Sequence, residues 1–232
     1  LPTIELDEAC VRVPLPGRGE REVLAPTTLT LTERRIGIIG ANGSGKSTLA
    51  RLLNGLVRPT SGRVSVEGRD VVREGAAVRR LVGFCFTDPA AQLVMPTCVE
   101  DIELSLRRRV ADGSTRRARA MEVLAANGLA DHAHDSVHSL SGGQRQLLAL
   151  AGVLALEPTV VVADEPTTLL DRANTRRVGD TLFGLDQQLV LVTHDLDLAA
   201  RCDRVLVVDA ARVVADGSPS DAIAHYTGLV DR

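Results

Sequence analysis

Three short runs of apolar residues stand out along this chain: Ile36-Gly37-Ile38-Ile39, Val160-Val161-Val162-Ala163 and Leu189-Val190-Leu191-Val192. None shows the polar alternation of a half-solvated strand, so each reads as a strand buried on both faces, the habit of parallel strands in α/β sheets. The first 72 residues carry turn signals between longer strand-like stretches. They predict antiparallel strands over 3–13, 22–31 and 63–67 with 71–72, joined at Pro16-Gly17-Arg18-Gly19 and Gly68-Arg69-Asp70. A short helix over 76–80 and a core strand over 81–86 follow. Thr97 and Glu100 form a capping box opening a helix to about residue 109. Ala111-Asp112-Gly113 breaks it, and Ser114 is expected to cap a second helix ending at Asn127-Gly128. Further on, the pattern predicts helices over 142–156 and 196–201, strands over 204–209 and 212–215, and a helix from Ser218. The chain shows no internal repeat.

The first apolar run leads into GANGSGKST, residues 40–48, and from there into a helical stretch over 47–53. Strand, glycine loop and helix is the context that G-x-x-x-x-G-K-[ST] requires. Gly40, Gly43 and Gly45 permit positive φ and close approach, so successive backbone N–H groups along Gly40, Asn42, Gly43, Ser44, Gly45, Lys46, Ser47 and Thr48 can face phosphate oxygens. The helix N-terminus adds partial positive charge at the same place. Lys46 is expected to reach the β- and γ-phosphates and Ser47 to ligate Mg²⁺.

The second run ends in Asp164-Glu165-Pro166 and the third in Thr193-His194-Asp195. Carboxylates at the C-terminal ends of parallel strands lie where open α/β sheets bind ligands. Asp164 suits the Mg²⁺ shell through water, and Glu165 suits a base for the attacking water. His194 closes a strand at the same edge, where it could hydrogen-bond a γ-phosphate or that water.

With LSGGQ at residues 140–144, DEPTTLLD at 164–171 and THD at 193–195, the chain resembles the ATPase subunits of ABC transporters over nearly its whole length. The resemblance implies one ABC ATPase domain over 1–232 with a P-loop NTPase core, an α/β fold of mixed, mainly parallel sheet. Residues 1–87 and 140–232 would form that core with its antiparallel β subdomain, and 88–139 a small inserted helical subdomain. It implies ATP and Mg²⁺, and two subunits sandwiching two ATP molecules head to tail, a homodimer being favoured. Ser141, Gly142, Gly143 and Gln144 would then contact the γ-phosphate held by the opposite subunit. Ser141 reads as a helix N-cap, which leaves free N–H groups beyond it for an anion. Leu170-Asp171 would correspond to the loop that crosses between subunits.

A narrower resemblance lies in FTDPAAQLVMPTCVEDI, residues 86–102. Asp88, Pro89 and Gln92 are similar to a segment of energy-coupling factor (ECF) importers that lies beside the groove docking their transmembrane partner. Such importers take up vitamins or Ni²⁺/Co²⁺. The stretch RRIGIIGANGSGKSTLARLLNGL is similar to the ATPase of biotin importers. The partners implied are a transmembrane coupling subunit and a substrate-binding membrane subunit, and the place is the cytoplasmic face of the cell membrane.

Two positions depart from the family pattern. Thr87 stands where a glutamine usually touches Mg²⁺ and the attacking water, so slower hydrolysis or coupling is expected. Val13 stands where an aromatic ring usually stacks on adenine. Losing that ring gives up part of a contribution of ~0.5–1.5 kcal/mol, and GTP is expected to compete with ATP.

Composition narrows the alternatives. The 232 residues carry a net charge of −3 and only 2% aromatic residues, which removes the electrostatic and stacking arguments for nucleic-acid binding. No run approaches the ~20 apolar residues of a membrane span, and no signal peptide is expected ahead of the first strand. Membrane contact is therefore expected only through partners. Cys10, Cys85, Cys98 and Cys202 are scattered and read as free buried thiols. DHAHDSVHS, residues 131–139, reads as polar linker rather than a metal site. Two other readings stay open at this point: a non-transport ABC ATPase, and a nucleotide-dependent regulatory module with little turnover. The first usually has long coiled-coil insertions or paired cassettes; Thr87 keeps the second alive.

Overall fold

The computed structural model describes residues 1–17 and 19–231. Strands β1 (Ile4–Leu15) and β2 (Gly19–Leu31) pair antiparallel; Arg18, in the expected turn between them, lies outside the described residues. The chain then forms β3 (Arg35–Ile39), the glycine loop and α1 (Lys46–Leu52). It returns to the first sheet as β4 (Ser61–Val66) and β5 (Arg69–Asp70), giving the order β2-β1-β4-β5. Next come α2 (Gly75–Leu81), β6 (Val82–Cys85), α3 (Cys98–Leu106), α4 (Gly113–Ala126), α5 (Gly142–Leu154) and β7 (Val160–Asp164). The chain ends with α6 (Arg172–Phe183), β8 (Gln188–Val192), α7 (Leu196–Ala199), β9 (Arg204–Asp209), β10 (Arg212–Gly217) and α8 (Pro219–Val230).

The second sheet has the order β10-β9-β3-β8-β7-β6, parallel throughout except for β10. This is the mixed, mainly parallel sheet with an antiparallel companion that the sequence predicts. β3, β7 and β8 are buried at every position, which is why their sequences do not alternate. Their side chains nevertheless do, feeding two different cores. Ile36, Ile38, Val162 and Val190 pack with Leu49 and Leu52 of α1 and with Leu6 and Leu24 of the antiparallel sheet. Val161, Leu189 and Leu191 pack with Leu147 and Leu148 of α5, and through them with Ile102 of α3 and Leu124 of α4. Each such side chain, fully buried, contributes ~1.5–3 kcal/mol. In-register parallel pairing of β3, β7 and β8 (Ile38 opposite Val192, Asp164 opposite Val192) brings the loops after all three strands to one sheet edge.

Several local expectations need correction. The short strand after Gly68 is Arg69–Asp70, whereas Val71 is buried and Val72 exposed in the turn that follows. Asp70 explains the difference: its Oδ1 accepts from the N–H groups of Val72 and Arg73 and folds residues 71–73 back. The cap of α4 is Asp112, not Ser114; Asp112 Oδ2 accepts from Thr115 N at 2.7 Å and from Ser114 Oγ at 2.5 Å. Helix α6 was not foreseen, because its sequence RANTRRVGDTLF is polar apart from Val178, Gly179 and Leu182, which it buries. The Thr97–Glu100 capping box and the four buried free cysteines are as expected.

Candidate nucleotide site

The glycine loop bends because its glycines take up space and dihedrals closed to other residues. Gly40 has φ 148°, and a Cβ there would overlap the Val208 carbonyl oxygen; Gly45 has φ 113° and would bring a Cβ to 2.8 Å from the Val23 carbonyl oxygen. Inside the loop Lys46 is buried, its Nζ donating to the carbonyls of Gly40 (2.7 Å) and Ala41 (2.9 Å). Burial lowers its pKa, opposed by the nearby Glu165 and Asp164 carboxylates. Those two carbonyls hold a cation that a phosphate would claim. Ser44 Oγ is buried in the loop without a hydrogen-bond partner, as suits a hydroxyl awaiting an anion.

Asp164, at the end of β7, is wholly buried. Its Oδ1 accepts from Ser47 Oγ at 2.8 Å, its Oδ2 from Arg51 at 3.2 Å, and its backbone carbonyl from Thr87 Oγ1 at 2.8 Å. Two hydroxyls and a carboxylate, all hard oxygen donors, converge here, a set that fits Mg²⁺. The Arg51 contact was not read from the sequence, although Arg51 lies four residues beyond Ser47 on α1 and so shares the face that meets Asp164.

Glu165 is held in the left-handed region at φ 53°, a conformation that costs a non-glycine residue roughly 1–3 kcal/mol. Its N–H donates to the Val192 carbonyl at 2.9 Å. That twist turns its side chain away from Asp164, where Oε2 meets His194 Nδ1 at 2.7 Å and accepts from Thr168 Oγ1 at 2.9 Å. Gly40, Ala41, Asn42, Thr87, Glu165 and His194 line one hollow of about 490 Å³, with Thr168 and Tyr226 completing the wall. Neither of those last two was anticipated; Tyr226 comes from α8, far along the chain.

A second hollow of about 320 Å³ adjoins the loop, lined by Asn42, Gly43, Gly45, Lys46, Ser47, Thr48 and Glu165, with Arg21, Glu22 and Val23 of β2 on its far wall. Val13 lies opposite Arg21 in the β1–β2 ladder, exposed, and does not line this hollow. Ser141, Gly142, Gly143 and Gln144 line neither. They open α5 beside Leu169 and Leu170, in a capping box joining Gln144 N to Ser141 Oγ (3.3 Å) and Ser141 N to Gln144 Oε1 (2.8 Å). Gln92 is also engaged elsewhere, donating to the Ala149 carbonyl of α5 at 3.0 Å.

The ABC transporter family model matches residues 26–168, from within β2 through the Asp164–Glu165 pair. This chain belongs to the ABC transporter family. The biotin transport ATP-binding protein BioM of Rhizobium etli is 45% identical over 208 residues, 90% of this chain and 92% of the relative. The energy-coupling factor transporter ATP-binding protein EcfA1 of Halalkalibacterium halodurans is 40% identical over 190 residues, 80% of this chain and 68% of that protein. The dimeric, post-hydrolysis structure of the ATP-binding cassette MJ0796 bound to ADP and Pi superposes with a TM-score of 0.83 at 29% identity, covering 93% of this chain and 98% of that one. The present chain is thus the ATPase component of an ABC transporter, an enzyme that binds ATP with Mg²⁺ and hydrolyses it. Among the described residues no helix is long and apolar enough to cross a membrane.

Proposed function

We propose that this ABC ATPase drives an importer of the energy-coupling factor type, with biotin as the favoured cargo, as a homodimer on the cytoplasmic face of the membrane. The turn at Asp88–Gln92 carries the reading. Asp88 caps it by accepting from Ala90 N at 2.9 Å, and Gln92 ties it to α5. A movement of this turn would therefore be felt by the helix that begins with the LSGGQ segment. The likeness to BioM and EcfA1 supports the same conclusion. Residues 88–139 would serve as the helical subdomain, and a groove of about 230 Å³ between Met95, Glu100, Glu103, Leu104, Arg107 and Arg116 is its candidate seat for the transmembrane coupling subunit.

Within each site, Lys46 would exchange its two carbonyl partners for β- and γ-phosphate oxygens, and the N–H groups of Gly40–Thr48 would cradle the rest. Ser47, Asp164 and Thr87 would hold Mg²⁺, which neutralises charge developing on the β- and γ-oxygens. Glu165 would accept the proton of the attacking water, with His194 fixing the direction of its carboxylate. Ser141–Gln144, which line neither hollow of their own chain, would serve the nucleotide of the opposite subunit. Val13, with its cross-strand neighbour Arg21, would face the base.

The test is co-purification of the tagged chain from native membranes with mass-spectrometric identification of what accompanies it. A transmembrane subunit together with a small cargo-binding membrane protein is the expected result. Recovery alone, or with soluble proteins only, would refute the importer.

A further inference from the structure

His132 sits in the one-turn helix Ala130–His132, eight residues before the LSGGQ segment begins, and its ring bridges two groups. Its Nε2 lies 2.8 Å from Gln144 Nε2, and its Nδ1 lies 2.7 Å from Asp135 Oδ2. The direction of this chain follows from chemistry alone. The backbone N–H of Ser141 can only donate, and it donates to Gln144 Oε1 at 2.8 Å. Gln144 therefore presents its NH₂ group to His132, whose Nε2 must accept. A ring accepting at Nε2 is neutral and carries its proton on Nδ1, where Asp135 receives it.

We infer that His132, as the neutral Nδ1–H tautomer held by Asp135, is a positioning residue for Gln144 at the mouth of α5, and that its protonation disorders this end of the nucleotide clamp. A second proton on the ring would place an N–H against the Gln144 NH₂ group, two donors face to face. Rotating the amide would not relieve the conflict, because it would then point NH₂ at the Ser141 N–H. Gln144 must give up either its histidine or its capping box. Other charges leave this conflict standing. Arg117 of α4 reaches His134 Nδ1 at 3.4 Å and Glu103 at 2.7 Å, and Arg145 of α5 donates to the Leu140 carbonyl at 2.8 Å. Asp131 precedes the ring in its own segment, and Asp135 is the carboxylate in contact with it.

This inference rests on the proposed role of Ser141–Gln144 at the partner's nucleotide, and two measurements on the full chain separate the two. The first is the ring tautomer of His132 by long-range ¹H–¹⁵N NMR of the nucleotide-free protein at pH 7.5. Protonated Nδ1 is expected; protonated Nε2 overturns the inference. The second is MgATP-dependent dimerisation of Glu165→Gln between pH 5.5 and 8, alone and combined with His132→Gln or His132→Ala. Affinity of the Glu165→Gln dimer should weaken roughly threefold to tenfold at the acid end, the effect of one lost hydrogen bond. His132→Gln, which can offer an uncharged acceptor, should remove the dependence carried by this ring, and His132→Ala should be weak at every pH. Identical pH profiles in all three overturn the positioning role while leaving the clamp intact. A Glu165→Gln protein that stays monomeric in saturating MgATP at every pH refutes the clamp itself, and the positioning role falls with it.

Discussion

The Glu165 carboxylate meets His194 Nδ1 at 2.7 Å, across the gap between the ends of β7 and β8. Two adjacent parallel strands supply one group each, and Glu165 accepts left-handed strain to reach its partner. Thr168 Oγ1 donates to the same oxygen. One carboxylate oxygen is thus fixed by two neighbours, which sets the direction of the group.

Replacing Glu165 by Gln keeps the shape and removes the proposed base. Turnover should fall by roughly 10²–10⁴, and in saturating MgATP a stable dimer should accumulate, visible by analytical ultracentrifugation. His194→Ala, which frees the carboxylate without removing it, should lower kcat less than Glu165→Gln does. A Glu165→Gln protein that hydrolyses ATP at the parent rate would remove Glu165 from the chemistry.

Gly143 is small for a reason of packing. A Cβ there would overlap Asn174 Oδ1 and lie 2.9 Å from Asn174 Cβ. Asn174 is in turn fastened to Asp171, which accepts from its backbone N–H at 2.8 Å and its side-chain amide at 2.9 Å and so caps α6. The start of α5 and the 164–171 loop are thereby locked together. Gly143→Ala should destabilise by about 1–3 kcal/mol, as overpacking does, and should impair dimerisation in MgATP. Asn174→Ala in the same chain removes the two closest of these contacts and should recover part of the stability, read from urea midpoints. If the single variant unfolds outright, the double variant still provides the comparison.

Much of this was legible because the chemistry lies at strand ends. Continuous apolar runs announce β3, β7 and β8, and the residues following each must share an edge if the strands are parallel. Lys46, Ser47, Asp164, Glu165 and His194 could therefore be grouped before any coordinates. The misses have a common physical cause. Arg51, Tyr226 and His132 meet their neighbours across elements, which no local pattern encodes, and Thr168 reaches Glu165 only through the turn of the loop they share. Val13 sits next to Arg21 in the β1–β2 ladder, and the wall of the hollow itself is formed by Arg21, Glu22 and Val23 of β2. Helix α6 hides because it buries few side chains and is capped by Asp171, a residue first read for another role.

Asp112 supplies a pH dependence whose sign is fixed by its surroundings. Hydrogen bonds from Ser114 and from the Thr115 backbone hold its carboxyl down to about 2, against an ordinary 3.8. Between those values the unfolded chain binds the proton that the folded chain refuses. Stability from this cap is therefore complete above about pH 4 and is lost as pH falls toward 2. Asp112→Asn keeps an acceptor at the cap but no titration. The parent should exceed it in urea midpoint at pH 6, and the gap should narrow at pH 3. A gap constant with pH would show that the charged form gains nothing from the cap.

Thr87 offers the clearest test of a departure from the family pattern. Its hydroxyl is committed as a donor to the Asp164 carbonyl, yet it lines the hollow shared with Glu165 and His194. The oxygen can still accept, but it reaches less far than the glutamine amide common at this position. A water there would have Glu165 as its principal anchor. Thr87→Gln should raise kcat at saturating MgATP roughly threefold to tenfold, the effect of one added hydrogen bond. Thr87→Ala should lower it, because both the oxygen proposed to face the metal and the tie to β7 are lost. If Thr87→Gln is slower than the parent, the threonine is no compromise: the bond to the Asp164 carbonyl then fixes the metal carboxylate, and this chain has replaced reach with rigidity at the end of β6.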